Sequence, residues 1–258
     1  MIFLYLSLYY IKMEGIELYN EDCFNILPEI KDKYIDLFIL DLPYNVTSLN
    51  WDKDIIDLDK MWVQIKRIMK PNAIIVFFNT TKFGYKLIHS NPKWFRYDLI
   101  WKKSRKVGFL QASRCPLRQH ENIYVFKDKQ GTYNPQKTEG KPYKDNVRKK
   151  PKNCGAYGHD MIAKPIINKG DRHPTSIIEN TILQYNNPHK TIHRTQKPVE
   201  LLEWLIKTYS NENDVVMDFT MGSGTCGIAA INTKRKFIGI EKDNEIFEKA
   251  YERIDDHY

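Results

Sequence analysis

Val215-Val216-Met217-Asp218-Phe219-Thr220-Met221-Gly222-Ser223-Gly224-Thr225 is the stretch on which the fold turns. Three apolar residues and a carboxylate read as a buried strand, two closely spaced glycines as a tight turn, and Thr225 as the start of a helix. Gly222 and Gly224 can take the positive φ that such a turn demands and let backbone approach a ligand closely, while the helix that follows offers free amide donors. The segment is not the G-x-G-x-x-G fingerprint, so a glycine pair alone is a weak signal. Glu241 strengthens it. It ends the next strand, 23 residues after Asp218, where an acidic side chain in a doubly wound sheet can accept both ribose hydroxyls of an adenosine. The plain alternative is a solvated charge at a strand end.

A second feature lies 177 residues upstream of Asp218, where the apolar run Ile35-Asp36-Leu37-Phe38-Ile39-Leu40 runs into Asp41-Leu42-Pro43-Tyr44. A carboxylate at a strand end, a proline that fixes the next turn and an aromatic ring beside them can together grip a planar amine. Acidic residues and prolines end many strands, so the tetrapeptide gains weight from the glycine turn.

Seven strand-like runs are expected: Ile16–Tyr19, Ile35–Leu40, Ala73–Phe78, Tyr97–Lys102, Asn122–Phe126, Asp214–Asp218 and Lys236–Glu241. Between them, Leu58, Met61, Trp62, Ile65, Ile68 and Met69 recur at helical spacing, with Asp57 as cap and Pro71 as stop. A further helix starts near Pro198 and buries Val199, Leu202, Leu205, Ile206 and Tyr209, and another runs from about Asn244 to the C-terminus. Buried strands alternating with amphipathic helices imply an α/β fold, a mostly parallel, doubly wound sheet covered on both faces.

The chain has 258 residues and is 42% hydrophobic, enough for one large domain carrying an insertion. Cys23, Cys115, Cys154 and Cys226 form no Cys-x-x-Cys pair, which argues against a disulfide framework and a zinc ribbon and favours a reducing, cytoplasmic setting. Residues 1–12 are apolar but too short to span a bilayer, and they lack the basic start and cleavage site of a signal peptide. They read as lying upstream of a start at Met13, or as an extra edge element. No membrane association is expected.

The net charge of +8 is local. Residues 127–194 hold 14 Lys and Arg against 6 Asp and Glu, and the 26 of each sign elsewhere cancel. Within this window proline, glycine, asparagine and lysine dominate, and only Thr175–Leu183 suggests a strand. A basic, loop-rich segment beside a neutral body suits a polyanion held for chemistry; the alternative is a solvated lysine-rich loop.

Taken together, these motifs resemble those of the beta class of DNA amino-methyltransferases, in which the catalytic tetrapeptide precedes the S-adenosylmethionine loop. The resemblance rests on Asp22-Cys23, Asp41-Leu42-Pro43-Tyr44, Thr195-Gln196-Lys197-Pro198, Asp218 to Thr225 and Gly239-Ile240-Glu241-Lys242-Asp243. It covers most of the chain outside residues 1–12 and the basic window. It implies a seven-stranded, circularly permuted class I methyltransferase sheet, with a catalytic domain at 13–126 and 195–258 and target recognition at 127–194. Leu42 stands where proline is more usual, and Phe219-Thr220 where Asp-Pro-Phe is frequent; neither change removes a functional side chain.

By the same resemblance, Asp41, Pro43 and Tyr44 are catalytic, Tyr44 stacking on an extruded base. S-adenosylmethionine would be held by Asp22, Cys23, Asp41, Lys197, Pro198, Asp218, Thr220, Gly222, Ser223, Gly224, Thr225 and Glu241. Asp22 and Cys23 would approach the adenine ring, Thr195 to Pro198 the methionine part, and Lys197 the cofactor carboxylate. The alternative for these last is a helix cap with a solvated lysine and an acidic turn with a small buried thiol. An acidic first residue in the tetrapeptide is associated in that family mostly with adenine and serine mostly with cytosine. The implied activity is therefore adenine-N6 methylation of double-stranded DNA, against cytosine-N4 or RNA methylation, or a catalytically silent DNA-binding relative.

Arg118-Gln119-His120-Glu121 resembles a segment near the target pocket, with Arg118 and His120 as nucleic-acid contacts; the alternative is a surface turn whose charges pair locally. Arg148, Lys149, Lys150 and Lys152 read as phosphate contacts, as a nuclear-localisation-like patch or as a solvated loop. His159, His173, His189 and His193 with Cys154 lack the second close ligand pair of a zinc site, so no metal is expected. A homodimer is implied by analogy only, and nothing in these residues points to or against a restriction partner.

Overall fold

The computed structural model describes residues 2–5, 8–43, 56–145, 166–179 and 196–258. They fall into two compact units, Met1–Asn134 with Ser176–Tyr258, and Pro135–Thr175.

The larger unit is built on a ten-stranded sheet. Its strands are β1 (Ile2–Tyr5), β2 (Leu8–Met13), β3 (Ile16–Asn20), β4 (Ile35–Leu40), β5 (Met69–Asn79), β6 (Phe95–Val107), β7 (Arg118–Phe126), β12 (Ile177–Ile178), β13 (Val215–Asp218) and β14 (Lys236–Glu241). They are ordered β1-β2-β3-β14-β13-β4-β5-β7-β6-β12. All seven expected strands form, in the order β3-β14-β13-β4-β5-β7-β6. The pairs from β3 through β5 are parallel, and β7 runs antiparallel between β5 and β6. The count of seven is extended at both edges: β1 and β2 add an antiparallel hairpin to β3, and β12 pairs parallel with β6. Residues 2–5 and 8–12 thus supply an edge element, with Ile11 buried and Tyr10 stacked on Tyr19.

The central strands are apolar because both faces are covered. Along β4 all six residues are buried; Leu37 and Ile39 join one hydrophobic cluster, while Phe38 and Leu40 join the other. Asp36 is the exception, and it is compensated by Lys70 at 2.7 Å and by the Val215 amide at 3.0 Å. Helix Val199–Tyr209 packs in the first cluster through Leu201, Leu202, Leu205, Ile206 and Tyr209, and helix Leu58–Ile68 in the second through Met61, Trp62, Ile65 and Ile68. Asp57 caps the latter, accepting from the Asp59 and Lys60 amides at 3.1 Å. Pro71 does not stop it: the helix ends at Ile68, and Pro71 lies at the exposed start of β5.

Strand β13 sits between β14, its sequence successor, and β4 from the N-terminal half. The chain order reverses there, which opens a crevice beyond the carboxyl ends of β4 and β13. Among the described residues, no helix is long and apolar enough to cross a membrane.

The smaller unit lies inside the basic window, and its described residues form two short antiparallel pairs: β8 (Thr138–Glu139) with β11 (Asp171–Arg172), and β9 (Tyr143–Asp145) with β10 (Ile166–Asn168). Polar contacts hold it. Lys137 meets Asp171 at 2.5 Å, and Arg172 lies over the Tyr143 ring at 4.9 Å. Residues 127–134 and 176–179 of the window belong to the larger unit, and among the described residues of Thr175–Leu183, β12 forms a strand.

Candidate active site

The glycine turn is fixed to the neighbouring strand by its backbone. The Met221 amide donates to the Ile240 carbonyl at 3.0 Å, and the Gly222 amide to Glu241 Oε2 at 3.0 Å. The other Glu241 oxygen accepts from the Asp243 amide at 2.9 Å. Both glycines take positive φ, +51° at Gly222 and +73° at Gly224, for different reasons. A Cβ on Gly224 would come within 3.0 to 3.1 Å of Ile254 and Ala250, whereas one on Gly222 would meet only the Thr220 carbonyl at 4.0 Å. Gly224 therefore serves packing against the C-terminal helix Asn244–Asp255, and Gly222 leaves its face of the turn open. Arg253 of that helix donates to the Ser223 carbonyl and, at 3.4 Å, to Thr225 Oγ1, anchoring the turn from behind.

In front of the turn is a cavity of about 530 Å³. Of the residues singled out in the sequence, Asp22, Cys23, Asp41, Pro43, Lys197, Asp218, Thr220, Gly222, Ser223, Thr225 and Glu241 line it. Gly224 and Pro198 do not. Pro198 is buried at the N-cap of helix Val199–Tyr209, so its part is to set the entry of that helix. Tyr44, Thr195, Arg148, Lys149, Lys150, Lys152, Cys154, His159, His189 and His193 lie outside the described residues. The structure adds Phe24, Phe78 and Gln196 to the lining. Gln196 Oε1 is buried with no hydrogen-bond partner among the described residues, an acceptor left unsatisfied in the cavity wall.

Asp41 extends from the end of β4, and the Thr220 hydroxyl donates to its carbonyl at 3.4 Å, tying the tetrapeptide to the glycine turn. Its carboxylate pairs with Lys197 Nζ at 2.5 Å, and the same ammonium lies 3.6 Å from Glu121 Oε2 and 4.9 Å above the Phe78 ring. Glu121 in turn meets Lys103 at 2.5 Å. Burial acts to discharge Lys197, but Asp41 and Glu121 outweigh it and hold its pKa above the ordinary lysine value. Burial likewise acts to raise the Glu121 pKa, and the two lysines reverse that, leaving it below the usual carboxylate range. The Lys197 ammonium is thus directed at two carboxylates of the protein itself, because a buried cation requires counter-charge.

Two carboxyls shift the other way. Asp218 is raised to about 8 by burial, with the charges of Asp41 and Glu241 adding to the effect against the Thr220 amide that it accepts. Glu241 is raised by burial, opposed by the amides of Asp243 and Gly222. Burial, then the neighbouring Asp22, pushes the Cys23 thiol up to about 12, so it serves as a small neutral wall residue. Asp22 caps the short helix Cys23–Ile26 through the Phe24 amide at 2.8 Å.

Besides Phe24 and Gln196, the site residues Glu121, Lys103 and Phe78 were not singled out by sequence reasoning. Glu121 stood in a segment read as near the target pocket, yet only the pairing of β6 with β7, which sets Glu121 opposite Trp101, reveals its reach. In that segment Arg118 donates to the His120 carbonyl at 3.0 Å, its Nη2 is buried without a partner among the described residues, and His120 is exposed.

A family model described as DNA methylase matches residues 35–252. The Type II methyltransferase M.HpaI of Haemophilus parainfluenzae is 27% identical over 251 residues, covering 90% of this chain and 72% of that protein. Among solved structures, the M1.HpyAVI complex with SAM superposes with a TM-score of 0.59 at 25% identity, covering 92% of this chain and 99% of that one. The cytosine-N4-specific PvuII DNA methyltransferase reaches a TM-score of 0.63 at 14% identity, covering 94% of this chain and 91% of the other, a likeness of fold alone.

Proposed function

The chain belongs to the N6/N4 DNA methylase family, and from that premise we propose that it methylates the exocyclic amino nitrogen of adenine in double-stranded DNA, using S-adenosylmethionine. The observation that carries this reading is the convergence of Asp41 and the glycine turn on one cavity, joined by the Thr220 hydroxyl.

The cavity residues suit the cofactor. Glu241 is oriented by two backbone amides, and each oxygen keeps a lone pair for a ribose hydroxyl. Gly222 leaves the turn open, Gln196 Oε1 offers an unsatisfied acceptor to an amino group, and Cys23, Phe24 and Ile246 supply apolar wall for a flat ring. When bound, S-adenosylmethionine supplies a methyl group on a sulfonium, ready for displacement by a nucleophile.

The chain must supply the grip on that nucleophile. An adenine amino nitrogen is weakly nucleophilic because its lone pair is delocalised into the ring. Asp41 can accept one amino hydrogen, and a backbone carbonyl of the tetrapeptide the other. Held in this way, the nitrogen is favoured to be pyramidal, with its lone pair localised and aimed. Positioning and electrostatics carry the rate, and no covalent intermediate with the enzyme is required. Tyr44 is assigned to stack on the extruded base, offsetting the few kcal/mol lost by unstacking it. The basic window 127–194 is assigned to the phosphates and to target recognition.

An acidic first residue in the tetrapeptide supports adenine over cytosine. The test is transfer of labelled methyl from S-adenosylmethionine to unmethylated DNA and, in parallel, to RNA, followed by digestion to nucleosides. Label in N6-methyldeoxyadenosine is expected; label in N4-methyldeoxycytidine would assign cytosine, and label only in RNA would overturn the DNA reading.

A further inference from the structure

β6 is antiparallel to β7, which is antiparallel to β5, so the connection from β6 to β7 turns on the sheet edge where β4, β13 and β14 deliver Asp41, Asp218 and Glu241. Its root is fixed to that site. Glu121 reaches Lys197, Lys103 closes on Glu121, and Gln119 Nε2 donates to the Lys103 carbonyl at 3.1 Å.

Its tip is of the opposite character. Gly108, at φ +94°, starts a single helical turn, Phe109–Gln111, in which the Gln111 amide donates to the Gly108 carbonyl at 2.9 Å. This turn presents Phe109 at 68% exposure and Leu110 at 102%, with Val107 at 46% below them. From Lys102 to His120 the chain carries six Lys and Arg and no Asp or Glu. Arg105, Lys106 and Arg114 are exposed around the apolar tip.

An apolar pair held out in water at the end of a cationic arm calls for a partner that is anionic outside and apolar inside. Duplex DNA is such a partner, with phosphates flanking a base stack. Val107 lies six residue steps beyond Trp101, which sits opposite Glu121, so the arm extends at most roughly 20 Å at about 3.3 Å per residue. That is enough to cross a groove about 8 Å deep. Resting on the DNA reading above, we infer that Phe109 and Leu110 form a wedge that enters the base stack beside the extruded nucleotide. Arg105, Lys106 and Arg114 hold the flanking phosphates.

Two double variants of the full chain test this, F109S/L110S and R105Q/K106Q. Affinity for a labelled mixed-sequence duplex is measured by fluorescence anisotropy across a salt series, and methyl transfer is measured on unmethylated plasmid. F109S/L110S should bind duplex about tenfold more weakly with an unchanged logarithmic salt slope, because stacking involves no counterion release. R105Q/K106Q should flatten that slope by about 1.8. Wild type should unwind closed circular plasmid resealed in its presence, and F109S/L110S should not. S-adenosylmethionine affinity, unchanged in both variants, reports an intact fold. Duplex affinity, unwinding and transfer rate all at wild-type level in F109S/L110S would overturn the inference. So would a wild-type dimer that this variant converts to monomers of undiminished duplex affinity, which would assign the tip to a second copy. Wild type that neither binds duplex nor methylates DNA would sink the functional reading itself, a result distinct from failure of the wedge alone.

Discussion

Replacing Lys197 with methionine should destabilise the larger unit in a pH-dependent way. The lysine side chain is 12% exposed, and its ammonium lies 2.5 Å from Asp41 and 3.6 Å from Glu121. At an effective dielectric of ~20, unit charges at those separations attract by about 7 and about 5 kcal/mol. Desolvation of the ammonium and the partial exposure of Asp41 cancel most of this, so deleting one partner should cost about 3 kcal/mol. The sign with pH follows from the two shifts. Glu121 is held below its unfolded pKa, so its contribution is present above about pH 4 and fades as pH falls through the lower folded value. Lys197 is raised, so its contribution is complete below about pH 10 and lost only above. The gap between wild type and Lys197→Met should therefore be widest from about pH 5 to about pH 10 and close in acid. Urea unfolding across that range measures it. Lys197→Met/Glu121→Gln, which removes a carboxylate left with Lys103 as its one remaining lysine partner, should recover part of that loss, about 1 kcal/mol. A Lys197→Met midpoint equal to wild type at pH 7, or a loss of the same size at pH 3, would refute the charge network.

Asp41→Asn keeps shape and removes charge; it should lower methyl transfer by about 10²-fold or more while a calorimetric titration shows S-adenosylmethionine still bound. Glu241→Ala and Gly222→Val should each weaken that titration, the first by removing ribose acceptors and the second by filling the open face of the turn; unchanged affinity in both would place the cofactor elsewhere. Gly239→Val should cost about 2 kcal/mol in thermal or urea unfolding, because a Cβ there would overlap Met221 Sδ and come within 2.7 Å of Phe237. Replacing Lys149, Lys150 and Lys152 with glutamine should flatten the salt dependence of duplex binding by roughly 3 without changing the methylated site; an unchanged slope would return this run to a solvated loop.

What could be read in the sequence is what repeats locally. β4, β13 and β14 announce themselves because burial on both faces makes most of each run apolar. The outer ends of β6 and β7, residues 103–107 and 118–121, carry no such pattern: they leave the core, and their pairing is set by a hairpin of cationic residues. Helix Thr81–Ser90 escaped notice because Gly84 interrupts it, and Gly84 is there because a Cβ would strike Asn79 and Tyr124. The Asp41–Lys197 pair joins residues 156 apart in the chain, and no local periodicity can encode it. The glycine turn and Glu241 were legible since a strand-turn-helix and the end of the next strand have fixed spacing. The division of labour between Gly222 and Gly224 was not, because it depends on where the C-terminal helix lies.

The charges of the larger unit are sorted in a way that fits two reactants of opposite sign. Six acidic residues, Glu21, Asp22, Asp41, Asp57, Asp218 and Glu241, line the cavity against two lysines, Lys197 and Lys242, in a chain whose net charge is +8. Burying carboxylates so close together costs free energy, which is why Asp218 is raised to about 8 and Lys197 is drawn in. That arrangement is reasonable if the occupant is itself cationic. S-adenosylmethionine carries a sulfonium and an ammonium against one carboxylate, and giving up the methyl removes the sulfonium charge. If the proposed occupancy is right, an acidic pocket should hold the methyl donor more tightly than the spent product and help release the latter. DNA, by contrast, would be repelled by such a pocket, and the surface proposed to receive it carries the cationic β6–β7 arm instead. Lys197 stands between the two fields. On the proposed reading, by neutralising Asp41 it lets an electron-rich base come within reach of the carboxylate assigned to grip it.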